Sequence, residues 1–476
     1  MSGQAMTNTL NYASLKRKAV SARSMRINQT SKSGTTFGPG QSFSIALPTA
    51  SRQYADLQNC YLQFKVYFPT GTAANNQGHF DTNAYSLFDR CTTTAAGGSV
   101  IEDITGLAKY YQAVLSETTS LNNHQNVFLQ TLGGGGDPNY KFIGVAPGVG
   151  ANNGIVVTLP LFHGIFSCEK MIPLDTASPI EFQFYLAATA DAFFRATANA
   201  VADYTVDSPT LIVPVVEISP DAQALLDQSV SGLGYNINFT GVAHSQDVRP
   251  ANQTSVITNL PFRYSSLERV MCLHYNQGTK SDADFSQSNR STGAMRSFSL
   301  KVGGSRIPQI PITLDPKNMG QVMSEMLLSN NVLGDMFHQT NLNLTRKKLI
   351  SNDDIGAAHA QAEIVGALNI VGSGPTQNQA NYQIENGLMA TATNVAGLQP
   401  QMIDEYGQFI VALSLETFKN PVETGGIYSG LSTIGSTVQS NIDYAVQNVS
   451  MDIHYYATYS AVLSLDPMTR TWAVSN

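Results

Sequence analysis

Histidines and paired acidic residues are the side chains in this sequence that could do chemistry. The eight histidines never stand four residues apart or as His-x-His, which are common spacings of metal ligands. Paired acids, the general acid and base of glycosidases, occur at Asp353-Asp354 and Asp404-Glu405. Both pairs lie near predicted loops, where acidic residues are usually solvated. These residues therefore do not indicate a catalytic or metal site.

Nucleophile and phosphate-binding motifs are also missing from the sequence. It contains neither a Gly-x-Ser-x-Gly elbow nor a Gly-x-x-x-x-Gly-Lys-Ser/Thr loop. The four cysteines, at 60, 91, 168 and 272, are widely spaced and form no Cys-x-x-Cys pair. The sequence predicts reduced, structural cysteines and a protein that is not an enzyme, with no catalytic residue, no cofactor and no metal site.

The composition indicates a large β-rich protein with little charge. Only 13% of the 476 residues are charged, against about 25% in an average globular domain. Two interpretations are open. In the first, much of the surface is buried against neighbouring subunits, because interface cores are depleted in charged residues. Alternatively, the chain is an all-β protein with polar, uncharged loops. The length suits two domains of about 200 residues each.

A set of alternating strands occurs twice along the chain. In the first half the predicted strands are Tyr61–Phe68, Ile180–Leu186 and Leu211–Ile218. In the second half they are Leu267–Tyr275, Gln408–Phe418 and Val449–Tyr459. The spacings are similar although residue identity between the halves is low. Pro214 within the third strand predicts an edge position or a bulge. The layout predicts two β-sandwiches in tandem.

Side chains with period two define the two predicted cores. The inward-facing residues expected in the cores are Leu62, Phe64, Val66, Phe68, Phe298, Leu300 and Val302. Short helices are predicted over Leu107–Ser116 and Asn318–Leu328, and a connecting helix with Ser219 as N-cap begins at Pro220. Residues 119–155 and 351–402 are predicted to be long loops at comparable places in the two halves.

The predicted domains follow from these elements. Residues 1–36 form a basic N-terminal arm and residues 37–219 the first sandwich. A linker at 220–235 precedes the second sandwich at 236–476. Seven basic residues precede Asp56, the first acidic residue. The six candidate contact residues of the arm are Lys16, Arg17, Lys18, Arg23, Arg26 and Lys32. Such an arm binds either a polyanion or acidic neighbouring subunits.

Five segments of the chain carry a recognisable order of motifs: 54–66, 164–174, 180–182, 300–311 and 413–418. The first contains Asp56-Leu57 followed by Tyr61-Leu62-Gln63-Phe64-Lys65-Val66. These segments resemble the double jelly-roll major capsid proteins of double-stranded DNA viruses, which include adenovirus-like, Polinton-like, virophage and giant-virus capsids. Each motif is generic, but their order and spacing extend over residues 37–474. The sequence lacks the usual C-terminal signatures of the giant-virus capsids.

The resemblance implies an all-β fold of two tandem eight-stranded jelly-roll sandwiches with short helices in loops. It implies a structural subunit of an icosahedral virion that self-assembles into pseudo-hexagonal homotrimers. Its partners would be neighbouring capsomers, penton and minor capsid proteins, and through the arm the genome or an internal membrane. Assembly would occur in the host cytoplasm or nucleus, without secretion.

Two other functions remain open from the residues alone. The first is a small-virus capsid protein with one jelly roll and a projecting domain, in which only the first half would have the jelly-roll fold. The second is a two-domain β-sandwich glycan-binding protein. That function would need converging aromatic or acidic residues, and the only tryptophan, Trp472, lies in the C-terminal tail.

Overall fold

The computed structural model describes most of both predicted sandwiches. The described residues are 22–69, 79–81, 83–95, 99–118, 131, 150–168, 170–177, 179–194, 203–230, 234–277, 290–314, 319–330, 409–416, 430–466 and 468–475. The predicted loop at 351–402, most of the loop at 119–155, and Lys16, Arg17 and Lys18 lie outside them. No helix of the described residues is long and apolar enough to cross a membrane.

The described residues of the first half contain thirteen strands. They are β1 Ala22–Thr30, β2 Thr36–Phe37, β3 Ser42–Ala46, β4 Gln53–Ala55, β5 Tyr61–Tyr67, β6 His79–Phe80, β7 Phe88–Ala95, β8 Ser99–Thr105, β9 Ile155–Pro160, β10 Ile172–Pro173, β11 Glu181–Leu186, β12 Phe193–Phe194 and β13 Thr205–Ile218. Helix α1 spans Leu107–Thr118 and helix α2 spans Thr189–Ala192. Helix α3, Pro220–Val230, follows β13 and separates the two sandwiches in sequence.

The described residues of the second half contain nine strands. They are β14 Tyr235–Arg249, β15 Ser255–Leu260, β16 Leu267–Asn276, β17 Met295–Val302, β18 Ser305–Thr313, β19 Val411–Ser414, β20 Val438–Tyr444, β21 Met451–Leu465 and β22 Trp472–Ser475. Helix α4, Gly320–Ser329, follows β18. The predicted helices are confirmed, and the Ser219 hydroxyl accepts a hydrogen bond from the Ala222 backbone N–H at the start of α3 (3.4 Å).

The two sandwiches repeat one order of strands. The second has one sheet ordered β14-β21-β16-β19, with β22 on β21, and another ordered β15-β20-β17-β18. The first has a four-stranded sheet ordered β3-β11-β7-β8. Its larger sheet places β13 between β5 and β1, and β9 lies beyond β5. In both sandwiches the first strand therefore lies beside a long strand near the end of that half, β13 or β21, although the two are far apart in the chain.

Apolar side chains fill the space between the paired sheets. The seven predicted core residues are all buried: Leu62, Phe64, Val66, Phe68, Phe298, Leu300 and Val302. In the first sandwich the rings of Phe64 and Phe88 meet edge to face across the two sheets, with centroids 5.7 Å apart. In the second, His274 Nε2 and the Tyr444 hydroxyl are hydrogen-bonded between the sheets at 2.8 Å. Met326 of α4 and Met319, the N-cap residue before it, are also buried in the core.

Two expectations about the first sandwich are wrong. The boundary between arm and sandwich does not fall at residue 36, because β1 pairs with β13 along its whole length, from Ala22 opposite Ile218 to Thr30 opposite Thr210. Only Met25 and Ile27 of β1 pack on the core, which is too weak a pattern to predict a strand.

Pro214 is neither in an edge strand nor at a bulge of the β1–β13 ladder, since β13 has partners on both sides and its register with β1 is regular from Ala22 to Thr30. Its ladder with β5 ends at Ile212, and its ladder with β4 begins at Val215. The missing N–H of the proline therefore falls in the gap between those two partner strands, where the ladder has no hydrogen bond to lose.

Candidate functional site: the junction between the sandwiches

The junction between the sandwiches is built along the edge of β14. This strand lies at the end of its sheet, so alternate backbone groups point out of the sheet without a strand partner. Side chains of the first sandwich satisfy them. Glu102 accepts a hydrogen bond from the Val242 N–H at 2.7 Å, the Ser167 hydroxyl accepts one from the Thr240 N–H at 3.3 Å, and the Lys170 ammonium donates to the Asn236 carbonyl at 2.9 Å.

Glu102 is the most deeply buried acidic group at this edge. It is 3% exposed, and burial raises its pKa to about 8. Its second carboxyl oxygen, Oε2, hydrogen-bonds to none of the described residues. A Cβ at Gly164 would lie 1.4 Å from that oxygen, and Gly164 has φ +51°. The carboxyl thus occupies space that only a glycine leaves open, and near neutral pH it is mainly the uncharged acid.

A stack of rings continues the junction beside β8. The imidazole of His244 is hydrogen-bonded through Nδ1 to the Thr105 hydroxyl (2.7 Å) and through Nε2 to His454 Nδ1 (2.9 Å). It also stacks on Tyr456, whose hydroxyl donates to the Gly106 carbonyl at 2.8 Å. Burial, and secondarily the charge of Lys109, lowers the pKa of His244 to about 4. The histidine is therefore neutral at physiological pH.

Helix α1 of the first sandwich ends against charged groups of the second. Glu117 is buried and forms an ion pair with Arg269 at 2.9 Å, and Asn330 also donates to Glu117 at 3.3 Å. The fully buried Arg290 donates to the Ser116 hydroxyl at 2.9 Å and to the Phe409 carbonyl at 3.1 Å. Because isolated buried charges are costly, such pairs favour one relative placement of the two sandwiches.

The described basic residues of the predicted arm are distributed over the first sandwich. Arg23 and Arg26 lie on β1 and are exposed. Lys32 forms an ion pair with Glu181 at 3.1 Å, and both side chains are more than one-third exposed. The structure does not gather these three residues into one site. Among the described residues, no group of three or more His, Cys, Asp and Glu side chains could hold a metal ion.

No sequence pattern indicates the junction residues. Glu102 lies in the short segment Val100-Ile101-Glu102-Asp103-Ile104, which looks like a strand with one solvated face. Its partner Val242 is 140 residues away in the sequence. A single sequence can reveal a buried acid in a strand only when the partner of that acid is close to it in the sequence. Glu102 and Val242 are not close in the sequence.

Comparison with known proteins supports the fold. No protein-family profile matches the chain, and no curated protein matches it. Among solved structures, the PBCV-1 virus capsid is similar with a TM-score of 0.55 and 10% identity, covering 98% of this chain and 99% of that one. The Faustovirus major capsid protein has a TM-score of 0.52 and 8% identity, covering 98% and 93%. The chain shares the double jelly-roll fold of these capsid proteins.

Proposed function

We propose that this chain is the major capsid protein of an icosahedral virus and that three copies form a pseudo-hexagonal capsomer. The observation that carries the proposal is the repeated strand order of two sandwiches held in one relative placement by buried polar contacts. Six similar sandwiches in a ring make a hexagonal building block from three chains. In the second sandwich, β14–β21 are the eight strands of a jelly roll and β22 is an addition.

Assembly is the proposed mechanism, without catalysis. The partners of the chain are other copies of itself, first in the trimer and then in neighbouring capsomers, together with penton and minor capsid proteins. The segment before β1, with Lys16, Arg17 and Lys18, contacts neighbouring capsomers, the genome or an internal membrane. The protein is located in the virion.

The two alternatives have less support. A single jelly roll with a projecting domain would give the two halves different sheet orders, yet β3-β11-β7-β8 and β15-β20-β17-β18 have equivalent positions. A glycan-binding protein would need an accessible aromatic platform, and Trp472 is buried at 6% exposure.

Light scattering on the purified full-length chain tests the proposal. The expected mass is three times the 51.2 kDa of one chain, at micromolar concentration and without nucleic acid. A mass equal to that of one chain at the highest soluble concentration would overturn the proposed function.

A further inference from the structure

The two sandwiches differ in how the edge of their first strand is covered. The odd-numbered residues of β1 bond towards β13, as shown by Ser31 N–H to the Pro209 carbonyl (3.3 Å), so the even-numbered backbone groups point outwards. Lys32 N–H agrees with this, since it bonds away from β13 to Ser44. In the described part of the chain, nothing bonds to the outward backbone groups of Ser24, Arg26 or Asn28. The corresponding edge of β14 is covered by the first sandwich.

Thr30 and Val242 hold comparable positions on the two edges. Each is a residue whose backbone groups point away from its partner strand, and each stands opposite a threonine of that strand, Thr210 in β13 and Thr458 in β21. The Val242 N–H donates to Glu102. We therefore use Thr30 as the counterpart of Val242.

The strand that supplies Glu102 also has a counterpart. Strands β8 and β18 each end their four-stranded sheet, and a helix follows each in sequence. Each contains a fully buried isoleucine near its end, Ile104 and Ile312. Two residues before it stand Glu102, 3% exposed against β14, and Ile310, 77% exposed. Glu102 therefore has its partner within the chain, whereas Ile310, at the equivalent position, is an exposed apolar side chain.

We propose that β18 of one copy lies along the edge of β1 in a second copy, in the way that β8 lies along β14 within the chain. This inference rests on the proposed trimer and names its contact. The contact is heterologous, because the two surfaces differ, and repeating it closes a ring of three. The occupant of the β1 edge is thus a second copy of this chain.

The chemistry of β18 suits such a contact. Its pairing with β17 passes from Leu300 opposite Ile307 to Phe298 opposite Ile312, so residues 308–311 bulge out of the ladder. Pro308 and Pro311 in this bulge have no N–H, which disfavours continuous strand pairing. The exposed amide of Gln309 can instead donate to and accept from the outward backbone groups of β1, while Ile310 supplies apolar contact area.

The first experiment substitutes Ile310 with Asp and measures trimer dissociation by light scattering over a dilution series. A charge buried at the contact is expected to raise the dissociation constant by about tenfold or more. Ile257→Asp is the matched control, since Ile257 is 64% exposed on β15, at the opposite edge of the same sheet. It should leave the dissociation constant unchanged. If the trimer of the Ile310→Asp protein has the same dissociation constant as that of the wild type, the proposed contact is overturned.

The second experiment cross-links the two positions between copies. Chains carrying both Thr30→Cys and Ile310→Cys are treated with a short bismaleimide, and the four native cysteines are buried and give little background. We expect dimer and trimer bands on a denaturing gel. Thr30→Cys with Ile257→Cys should give monomer.

The outcomes separate this inference from the proposed function. Cross-linking that is equal in the two double variants, or absent from both in a protein of trimer mass, would overturn the contact and leave the capsid function standing. A wild-type protein with the mass of one chain would overturn both.

Discussion

Glu102 of the first sandwich accepts a hydrogen bond from the backbone N–H of Val242 in the second, at 2.7 Å. The bond replaces a strand partner that the edge of β14 lacks. It joins residues 140 positions apart in sequence, so it forms only when both sandwiches have folded. Because of this hydrogen bond, the relative placement of the two sandwiches is sensitive to the protonation state of the Glu102 carboxyl group.

The stability of the protein should fall as the pH rises from about 4.5 to about 8 because of Glu102. Its pKa is about 8 in the folded chain, against 4.5 for an ordinary glutamate, and burial is the main cause. In that range the unfolded chain has lost the proton and the folded chain keeps it, so the stabilisation decreases with pH by about 1.4 kcal/mol per unit. Thermal unfolding of Glu102→Gln should lack this decrease. Parallel pH profiles for variant and wild type would contradict the account.

His244 should contribute a pH dependence of opposite sign. Burial lowers its pKa to about 4, so between pH 6.5 and 4 the unfolded chain binds a proton that the folded chain does not. Its contribution to stability is complete above pH 6.5 and is lost as the pH falls towards 4. The variant His244→Gln should show a shallower loss of melting temperature across that range. If the melting temperatures of the variant and the wild type fall equally steeply from pH 6.5 to pH 4, His244 does not have this role.

Gly164→Ala should destabilise the junction by a steric clash. A methyl group would lie 1.4 Å from Glu102 Oε2, in a residue with φ +51°. Gly40→Ala is the control, because Gly40 has φ +70° with nothing within 4 Å of its Cβ position. The control should cost about 1 kcal/mol from backbone strain, and Gly164→Ala should cost about 1–3 kcal/mol more from overpacking. Equal losses in chemical denaturation would show that Glu102 moves away freely.

Removing one partner of the Glu117–Arg269 pair should strongly destabilise the folded protein. The Glu117 side chain is 0% exposed and that of Arg269 is 14% exposed, so Glu117→Gln leaves a mostly buried charge unpaired, at a cost of about 3–5 kcal/mol. The double variant Glu117→Leu with Arg269→Met should recover much of that loss. The exposed Arg90–Asp103 pair is the control, and Arg90→Ala should cost about 1 kcal/mol or less. Additive losses in the Glu117–Arg269 cycle would exclude a coupled buried pair.

Local patterns predicted the elements that have a strong periodicity. Leu62, Phe64 and Val66 alternate with half-buried residues in β5, and Pro220 after Ser219 marks the start of α3. The pairing of β1 was missed because only Met25 and Ile27 of that strand reach the core. Such a strand is stabilised mainly by its backbone hydrogen bonds with β13, and these leave no trace in residue types.

The junction could not be predicted, for a related reason. Its contacts join side chains of one sandwich to backbone groups of the other, and a backbone N–H such as that of Val242 is the same for nearly every residue type. A glycine is needed at Gly164 because of the carboxyl group of Glu102, a residue 62 positions earlier in the sequence. Only the folded arrangement shows that Glu102 and Gly164 belong together.

A cryo-electron microscopy reconstruction of the purified particle would show directly whether three copies form the proposed ring. We expect six β-sandwiches in a closed ring with threefold symmetry, two from each chain, with first and second sandwiches alternating around it. A particle containing two sandwiches only, or a ring in which identical sandwiches are adjacent, would contradict it.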